Sequence, residues 1–224
     1  MKYKCCILDL DGTLVNSIHA LTYCTNLALE KFGLGPLTED QMKTIVGDGY
    51  KMQMKRALLL AGDEALSHYE EILPIYMEIF SENCLHDLYA YDGILEFLHY
   101  AKSCGLGLGI VSNKPQAQAE DTVNGVFENG LFKVVIGESE TIPKKPDPKG
   151  AKTAARLLGA KPEECLYFGD TNTDMRTGKG AGMATVGVLW GFRTREELLA
   201  FSPDYMIERP EDMTEILKAM RDAE

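Results

Sequence analysis

The segment 5–13, Cys-Cys-Ile-Leu-Asp-Leu-Asp-Gly-Thr, decides the fold of this 224-residue chain. Its first four residues are apolar and predict a short buried strand, and Gly12 predicts the turn that ends it. Because side chains alternate along a strand, Asp9 and Asp11 are expected to project toward one place beyond its C-terminal end. Two carboxylates held so close repel each other, and a divalent cation with oxygen ligands keeps both ionised. A carboxylate beside Mg2+ can be a nucleophile toward phosphorus, while its neighbour moves a proton.

An isolated Asp-x-Asp-Gly segment also occurs in ordinary turns and in calcium-binding loops. An EF-hand fits this one poorly, because the twelfth position counted from Asp9 is Ala20 and the sixth is Leu14. An EF-hand has a bidentate glutamate and a glycine at those positions. A catalytic role for the pair therefore requires partners elsewhere in the chain.

The overall composition excludes several classes of partner. The chain is 45% hydrophobic and 25% charged, as globular proteins are, and its net charge of −11 argues against a nucleic-acid partner. No apolar run approaches the roughly 18 residues of a membrane span, and no signal peptide is expected before Asp9. The six cysteines lack CxxC spacing, which predicts reduced thiols rather than a zinc site. We therefore expect a cytoplasmic protein with no membrane partner.

Strand and helix patterns alternate from residue 106 onward. Strands are predicted at 106–112, 134–137, 165–170, 184–190 and 205–207, and helices at 116–127, 148–158, 173–181, 195–201 and 211–221. This alternation predicts an α/β fold in which a parallel sheet carries helices on both faces. Ligands of such sheets bind in the crevice beyond the carboxyl ends of the strands.

The connection after the first strand is much longer than a crossover between parallel strands requires. The next predicted strand begins near Leu106, which leaves an excess of roughly 60–70 residues. Helical patterns fill this excess at 18–32, 39–46, 50–61 and 64–81. We therefore predict a helical cap domain at 15–85, lying over the aspartates, and a catalytic core at 1–14 and 86–224.

Polar residues follow three further core segments. Ser112 and Asn113, after the second core strand, are candidates for holding phosphate oxygens, and a helix N-cap is the alternative. Lys145 lies among prolines that restrict its backbone, so it is either aimed at a phosphoryl group or a solvated charge. Asp170 and Asp174 form a second acid pair after a strand, although either is also a plausible helix cap. Together the acid pairs offer the oxygen ligands that Mg2+ prefers.

The four elements, taken in order, resemble the motifs of phosphohydrolases of the haloacid dehalogenase superfamily. They are Asp9-Leu-Asp11-Gly-Thr13, Ser112-Asn113, Lys145-Pro146 and Gly169-Asp170-Thr-Asn-Thr-Asp174. The resemblance covers essentially the full chain. It implies a Rossmann-like core with a small all-helical cap inserted after the first motif.

The resemblance also implies a role for each motif residue. Asp9 would attack phosphorus and become a phospho-aspartate, and Asp11 would protonate the leaving oxygen and then activate water. A carboxylate at position 11 disfavours dehalogenation, because the dehalogenases of this superfamily lack it. The substrate-binding residues of the core would be Thr13, Ser112, Asn113 and Lys145.

The same resemblance implies a Mg2+ cofactor. The ion would be held by Asp9, by Asp11 through its backbone carbonyl, and by Asp170. Asp174 would lie behind these ligands and orient a metal-bound water or Lys145.

The segment 46–58 of the predicted cap resembles phosphoglycolate phosphatases, in which a Gly-x-Gly turn precedes a helix containing Arg-Ala-Leu. Gly47 and Gly49 either let the backbone approach a ligand or form an ordinary loop between helices. A carboxylate on the substrate would give Arg56 or Lys51 a partner. We therefore rank 2-phosphoglycolate first among small phosphorylated metabolites, followed by pyrophosphate or a nucleoside monophosphate.

Other functions remain open from the sequence. A phosphonatase would need a Schiff-base lysine from the cap, for which Lys43, Lys51 and Lys55 are candidates. A sugar-phosphate mutase would use the same core and protect its phospho-aspartate from water. A non-catalytic metabolite-binding protein would be expected to have lost a motif residue, whereas all of them are present here. We expect a monomer or a homodimer.

Overall fold

The structure, a computed structural model, describes residues 2–222. Along the chain the strands are β1 (Cys5–Leu8), β2 (Val15–Asn16), β3 (Tyr89–Ala90), β4 (Gly107–Pro115), β5 (Val134–Glu138), β6 (Cys165–Gly169), β7 (Ala184–Val188) and β8 (Tyr205–Ile207). The helices are α1 (Ile18–Glu30), α2 (Glu39–Ile45), α3 (Tyr50–Leu60), α4 (Tyr69–Asn83), α5 (Ile94–Ser103), α6 (Gln116–Val126), α7 (Lys149–Leu158), α8 (Asn172–Ala181), α9 (Arg195–Leu199) and α10 (Glu211–Asp222). A 3-10 turn spans Pro162–Glu164. Within residues 2–222, no helix combines the length and the apolar character that crossing a membrane requires.

The central sheet has six strands in the order β5-β4-β1-β6-β7-β8, and every neighbouring pair is parallel. Strand β1 lies in the middle, where Leu8 is in register with Ile110 of β4 and with Phe168 of β6. The carboxyl ends of these three strands therefore meet at one edge. The residues that follow them are brought together by the sheet itself.

Helices cover both faces of this sheet. Alternation along β1 turns Cys6 and Leu8 toward a hydrophobic cluster that includes residues of α5, α6 and α10. Cys5 and Ile7 face the opposite cluster, which includes the small residues of α7. Both faces of β1 are buried, as is usual for a parallel strand. The predicted α/β fold, with a parallel sheet between two layers of helices, is confirmed.

Helices α1 to α4 enclose a hydrophobic cluster of their own. Leu29, Met42, Met54, Ile72 and Phe80 are fully buried or nearly so within it. A core of this kind, separate from the clusters on the sheet, is what a cap that folds as its own layer requires.

Three local features differ from the sequence-based prediction. Strands β2 and β3 form a short antiparallel pair, Val15 with Ala90 and Asn16 with Tyr89, and two-residue strands are too short to show a period. Helix α5 was not predicted, although four of its residues are buried at the spacing of an amphipathic helix. These residues are Ile94, Phe97, Leu98 and Ala101.

The fourth cap helix was predicted at 64–81 and begins instead at Tyr69. The preceding residues form a turn in which the Asp63 carboxylate accepts hydrogen bonds from the backbone N–H groups of Ser67 and His68, at 2.9 and 3.0 Å. An aspartate that bonds the backbone ahead of it stabilises a turn in place of a helix.

Candidate active site

The first carboxylate of the site is Asp9, which directly follows β1 at the middle of the sheet. Its backbone N–H donates to the carbonyl of Phe168 at 2.9 Å, so the residue is fixed by strand pairing. Its Oδ1 lies 2.6 Å from Lys145 Nζ, and the same ammonium lies 2.7 Å from Asp174 Oδ1. The lysine is 3% exposed. Lys145 is therefore a buried cation between two carboxylates and not a solvated loop residue.

The second acid pair lies at the end of β6. Asp170 accepts hydrogen bonds from Thr13 Oγ1 at 3.1 Å and from the backbone N–H of Phe192 at 2.8 Å. Asp174 Oδ2 accepts from the hydroxyl of Thr171 at 2.6 Å and from its backbone N–H at 3.1 Å. Thr171 and Asp174 form a capping box at the start of α8. Asp174 thus completes the capping box of α8, whose N-cap is Thr171, and is also a partner of Lys145.

Three carboxylates of this region can bind one cation. Ligand atoms of Asp9, Asp170 and Asp174 all lie within 4.8 Å of one another, and all three residues are buried. The backbone leaves little other room, since a Cβ added at Gly12 would lie 2.4 Å from Asp170 Oδ2. Buried carboxylate oxygens with one lysine among them fit a hard divalent cation such as Mg2+.

The electrostatics of this cluster agree with that fit. Burial, reinforced by the charge of Asp174 and opposed by Lys145, raises the pKa of Asp9 well above its usual range. Burial and the charge of Asp174 likewise raise the pKa of Asp170 to about 7. For Lys145, burial would lower the pKa, but Asp174 and Asp9 outweigh it and hold the pKa well above the usual value. The cluster therefore carries more negative charge than one ammonium offsets.

Asp11 has a different partner from Asp9. Its Oδ1 lies 2.9 Å from Nζ of Lys114, whose side chain is 2% exposed. Lys114 was not among the predicted site residues. The one sequence signal for it was its position directly after Ser112 and Asn113 at the end of β4, and its contact with Asp11 is what places it in the site.

Ser112 and Asn113 are buried at the end of β4. Helix α6 begins after Pro115 without a side-chain cap, so neither residue caps it. Asn113 Nδ2 donates to the carbonyls of Gly47 and Lys145 at 3.0 and 3.1 Å, and its Oδ1 accepts from the Lys145 backbone N–H at 2.7 Å. Asn113 thus joins the Lys145 loop to the turn at Gly47.

The glycine turn between α2 and α3 packs over the edge of the sheet. Asp48 accepts from Thr173 Oγ1 at 2.9 Å through its carboxylate and from Lys144 Nζ at 2.8 Å through its carbonyl. Gly47 and Gly49 have positive φ values of 108° and 84°. A Cβ on Gly47 would lie 3.3 Å from Thr171 Cγ2. The turn therefore packs against the start of α8, where glycine accommodates both the positive φ and the close contact with Thr171.

Arg56 lies away from this approach. Its guanidinium is 2.7 Å from Asp48 Oδ2 and donates to the carbonyl of Ile45 at 3.0 Å, so it holds the cap turn from behind. Neither Arg56 nor Thr13 lines the cavity among the residues that the structure describes. Their substrate-binding roles remain predictions.

A small cavity lies between helices α1, α3 and α4 and the carboxyl edge of the sheet. The space open to the centres of water molecules inside it is about 50 Å³. Its charged side chains come from the edge of the sheet and the Lys145 loop, whereas α1, α3 and α4 contribute apolar, aromatic and amide side chains. The lining residues are Asp9, Asp11, Leu21, Val46, Gly47, Gly49, Tyr50, Gln53, Tyr76, Phe80, Ser112, Asn113, Lys114, Pro115, Lys145 and Phe192.

Known proteins share both the sequence pattern and this architecture. Residues 6–188 match the family model described as haloacid dehalogenase-like hydrolase. The chain is 31% identical to the phosphoglycolate phosphatase of Nitrosococcus oceani over 208 residues, which cover 90% of this chain and 91% of that protein. The Aquifex aeolicus phosphoglycolate phosphatase is 28% identical and covers 94% of this chain, and 95% of its own length is matched.

Among solved structures, a crystal structure described as a predicted phosphoglycolate phosphatase from Haemophilus somnus superposes with a TM-score of 0.89. It is 26% identical, and the match covers 97% of this chain and 99% of that one. These similarities confirm the resemblance that the four motifs indicate, and they confirm the predicted enzyme class, a phosphatase.

Proposed function

The chain belongs to the haloacid dehalogenase-like hydrolase family, and we propose that it hydrolyses a small phosphate monoester by a Mg2+-dependent reaction through a phospho-aspartate on Asp9. One observation carries this proposal. The buried Asp9 carboxylate contacts Lys145 and lines a cavity whose wall also contains Asp11. A nucleophile, a phosphoryl-binding cation and a proton carrier therefore lie around one space.

Asp9, Asp170 and the backbone carbonyl of Asp11 would hold the Mg2+, with Asp174 behind them. The ion would supply positive charge that lowers the repulsion between the Asp9 carboxylate and an anionic phosphoryl group. Support comes from the buried oxygen donors of Asp9, Asp170 and Asp174 within 4.8 Å of one another.

The chain's own residues would perform two displacements at phosphorus. In the first, an Asp9 oxygen bonds to phosphorus, the ester P–O bond breaks, and Asp11 gives its proton to the leaving oxygen. In the second, water attacks phosphorus, Asp11 takes a proton from that water, and the Asp9–phosphorus bond breaks to release phosphate. Lys145 and Ser112 would hold the phosphoryl oxygens through both steps.

We propose 2-phosphoglycolate as the preferred substrate. The relatives named phosphoglycolate phosphatase support this choice of a compact, anionic ester. Within the described residues, the cap lysines Lys43, Lys51 and Lys55 do not line the cavity, which gives no support to a Schiff-base phosphonatase. Pyrophosphate remains the second candidate, because it too is compact and anionic.

The division of the chain belongs to the same proposal. We propose a cap at 15–85 that closes over a core formed by 1–14 and 86–224, and its support is the separate hydrophobic cluster of α1 to α4. A closed cap would exclude water during the first displacement. A cytoplasmic location and a monomeric or homodimeric state remain predictions.

Phosphate release from a panel of esters tests the reaction and the substrate. Wild type and Asp9→Asn would be assayed with Mg2+ or EDTA on 2-phosphoglycolate, pyrophosphate, nucleoside monophosphates, sugar phosphates and p-nitrophenyl phosphate. We expect Mg2+-dependent release that is highest for 2-phosphoglycolate, lost in Asp9→Asn and retained in a control, Asp121→Asn, at an exposed position of α6. Full activity of Asp9→Asn would refute the nucleophile, and faster release from another ester would reassign the substrate.

A further inference from the structure

We propose that Lys114 binds an anionic group on the leaving-group part of the substrate, and so makes the enzyme selective for esters whose leaving group is itself negatively charged. This inference rests on the proposed phosphatase function. Lys114 would contact the leaving group of the substrate, which Lys145 does not contact.

The burial of Lys114 makes it an unusual lysine. Its side chain is 2% exposed although it lies at the cavity wall, and its Nζ lies 5.0 Å from the centroid of the Phe80 ring in the cap. Among the described residues, Asp11 is the one hydrogen-bonding partner of the Lys114 ammonium, at 2.9 Å. An ammonium has three N–H donors, and a buried one is stable only when its charge and donors are compensated. Lys114 thus has donor capacity to spare.

The two buried lysines of the cavity differ in this respect. Lys145 lies between two carboxylates, Asp9 and Asp174, and belongs to the nucleophile and metal end of the cavity. Lys114 pairs with one carboxylate, that of Asp11, which is the proposed proton carrier to the leaving oxygen. The spare capacity of Lys114 therefore lies at the leaving-group end.

The rest of the cavity offers no substitute for Lys114. Among the described residues that line it, the charged ones are Asp9, Asp11, Lys114 and Lys145, so Lys114 is the one cation left beside Lys145. Arg56, which the sequence suggested for a substrate carboxylate, is instead bound to Asp48 and Ile45 outside that lining. Lys114, and not Arg56, is therefore the residue placed to bind a second negative charge on the substrate.

The surroundings of Lys114 would make this recognition selective. Leu21, Tyr76 and Phe80 line the cavity from the cap and reduce solvent around the ammonium. A charge pair is stronger in such a place, and a leaving group without charge would leave the ammonium donors unpaired. Because the Lys114 ammonium lies 2.9 Å from the Asp11 carboxylate, which would protonate the leaving oxygen, the anionic group has to lie close to the ester oxygen. A carboxylate one carbon away, or a second phosphoryl group, meets that requirement.

Matched substrates with and without the second charge provide the test. 2-Phosphoglycolate would be compared with 2-hydroxyethyl phosphate, which has the same chain length and an uncharged end, and with pyrophosphate. Wild type is expected to prefer the esters with anionic leaving groups in kcat/KM, and Lys114→Gln is expected to lower this preference by about tenfold or more, mainly through KM. The control Lys133→Gln, at an exposed position before β5, should retain it. The anionic substrate with the larger loss in Lys114→Gln identifies whether a carboxylate or a phosphoryl group is bound.

Two results would overturn the inference. If Lys114→Gln slows all three substrates by the same factor, the lysine only orients Asp11. If wild type hydrolyses 2-hydroxyethyl phosphate as efficiently as 2-phosphoglycolate, the inference fails without any variant, so it stays testable even where Lys114→Gln does not fold. Failure of the proposed function is a separate outcome, because wild type would then release no phosphate from any ester, including p-nitrophenyl phosphate.

Discussion

Replacing Asp170 with asparagine is expected to stabilise the metal-free protein while removing its response to Mg2+. Burial and the charge of Asp174 raise the pKa of Asp170 from 3.8 to about 7, so the ionised carboxylate is unfavourable in the folded state. At about 1.4 kcal/mol per pKa unit, ionised Asp170 costs roughly 4 kcal/mol of the free energy of unfolding. The asparagine is neutral and avoids this cost.

The replacement also has a cost of its own. Asp170 accepts from Thr13 Oγ1 and from the backbone N–H of Phe192 on its two oxygens, and asparagine keeps one acceptor oxygen. One donor left unpaired in a buried site costs about 1–3 kcal/mol. The net gain for Asp170→Asn is therefore about 1–3 kcal/mol at pH 8, or roughly 2–12 °C in Tm for a chain of this size.

The stability gained by Asp170→Asn is expected to increase as the pH rises. Because the pKa of Asp170 is higher in the folded state, the native protein binds more protons than the unfolded chain between pH 3.8 and about 7. The stability contributed by Asp170 is thus fully present below pH 3.8 and is lost as the pH rises through about 7. The advantage of Asp170→Asn is expected to be complete at pH 8 and to reverse near pH 4, where only the cost of the unpaired donor, about 1–3 kcal/mol, remains.

Thermal unfolding at pH 4.5 and pH 8, in EDTA and in excess Mg2+, measures the cost of the buried charge and the stabilisation by Mg2+ separately. Wild type should gain about 3 kcal/mol from Mg2+ at one hundred times its Kd, and Asp170→Asn should gain little.

Asp204→Asn is the control, and its expected change in stability at pH 8 has the opposite sign. Although burial acts to raise the pKa of Asp204, hydrogen bonds from the Thr185 backbone N–H and hydroxyl outweigh it and lower that pKa, so this variant should lose stability at pH 8.

Two outcomes would refute the reasoning. If Asp170→Asn is less stable than wild type at pH 8 in EDTA, its hydrogen bonds outweigh the cost of its buried charge. If Mg2+ stabilises the variant as much as wild type, Asp170 is not a metal ligand.

The remaining predictions concern the cap turn, the Lys145 loop and the choice of metal. Gly49→Ala should lower kcat/KM and cost about 1–3 kcal/mol, because Gly49 has φ of 84° and its new Cβ would lie 3.2 Å from Glu138 Oε2. Gly62→Ala is the control with similar backbone strain, because Gly62 has φ of 96° and no atom lies within 4 Å of its added Cβ. This variant should lose stability but keep kcat/KM. Equal losses of kcat/KM in both variants would contradict the prediction. Asn113→Ala removes the three hydrogen bonds that join Gly47 and Lys145, and steady-state kinetics should show a higher KM and a lower kcat, whereas unchanged kinetics would show that Lys145 is held without it. Ca2+ should inhibit in competition with Mg2+, because its larger and looser coordination shell disturbs in-line attack, and equal rates with either ion would contradict this.

Local sequence patterns predicted most of the strands and helices of the fold. Strand β8 and the first residues of α6, α9 and α10 lie where the sequence predicts them, since hydrophobic period and turn residues act over a few neighbouring positions. The order of the motifs along the chain likewise identified the family, since Asp9 and Asp170 directly follow β1 and β6, and Ser112 and Asn113 lie near the end of β4. The short pair β2 and β3 has no period to detect, and its residues pair across more than seventy positions of the chain.

For the candidate site too, the sequence determined some properties and the tertiary structure decided others. The sequence by itself determined which residue types stand at the carboxyl edge of the sheet, because a strand directs the residues that follow it regardless of what packs above. Only the tertiary structure decided how charges pair across distant segments: Lys145 with Asp9 and Asp174, Lys114 with Asp11, and Arg56 with Asp48. A side chain's partner depends on which other segments lie within a few ångströms of it. Burial then determines how strongly each pair acts, through the loss of solvent that a linear pattern does not reveal.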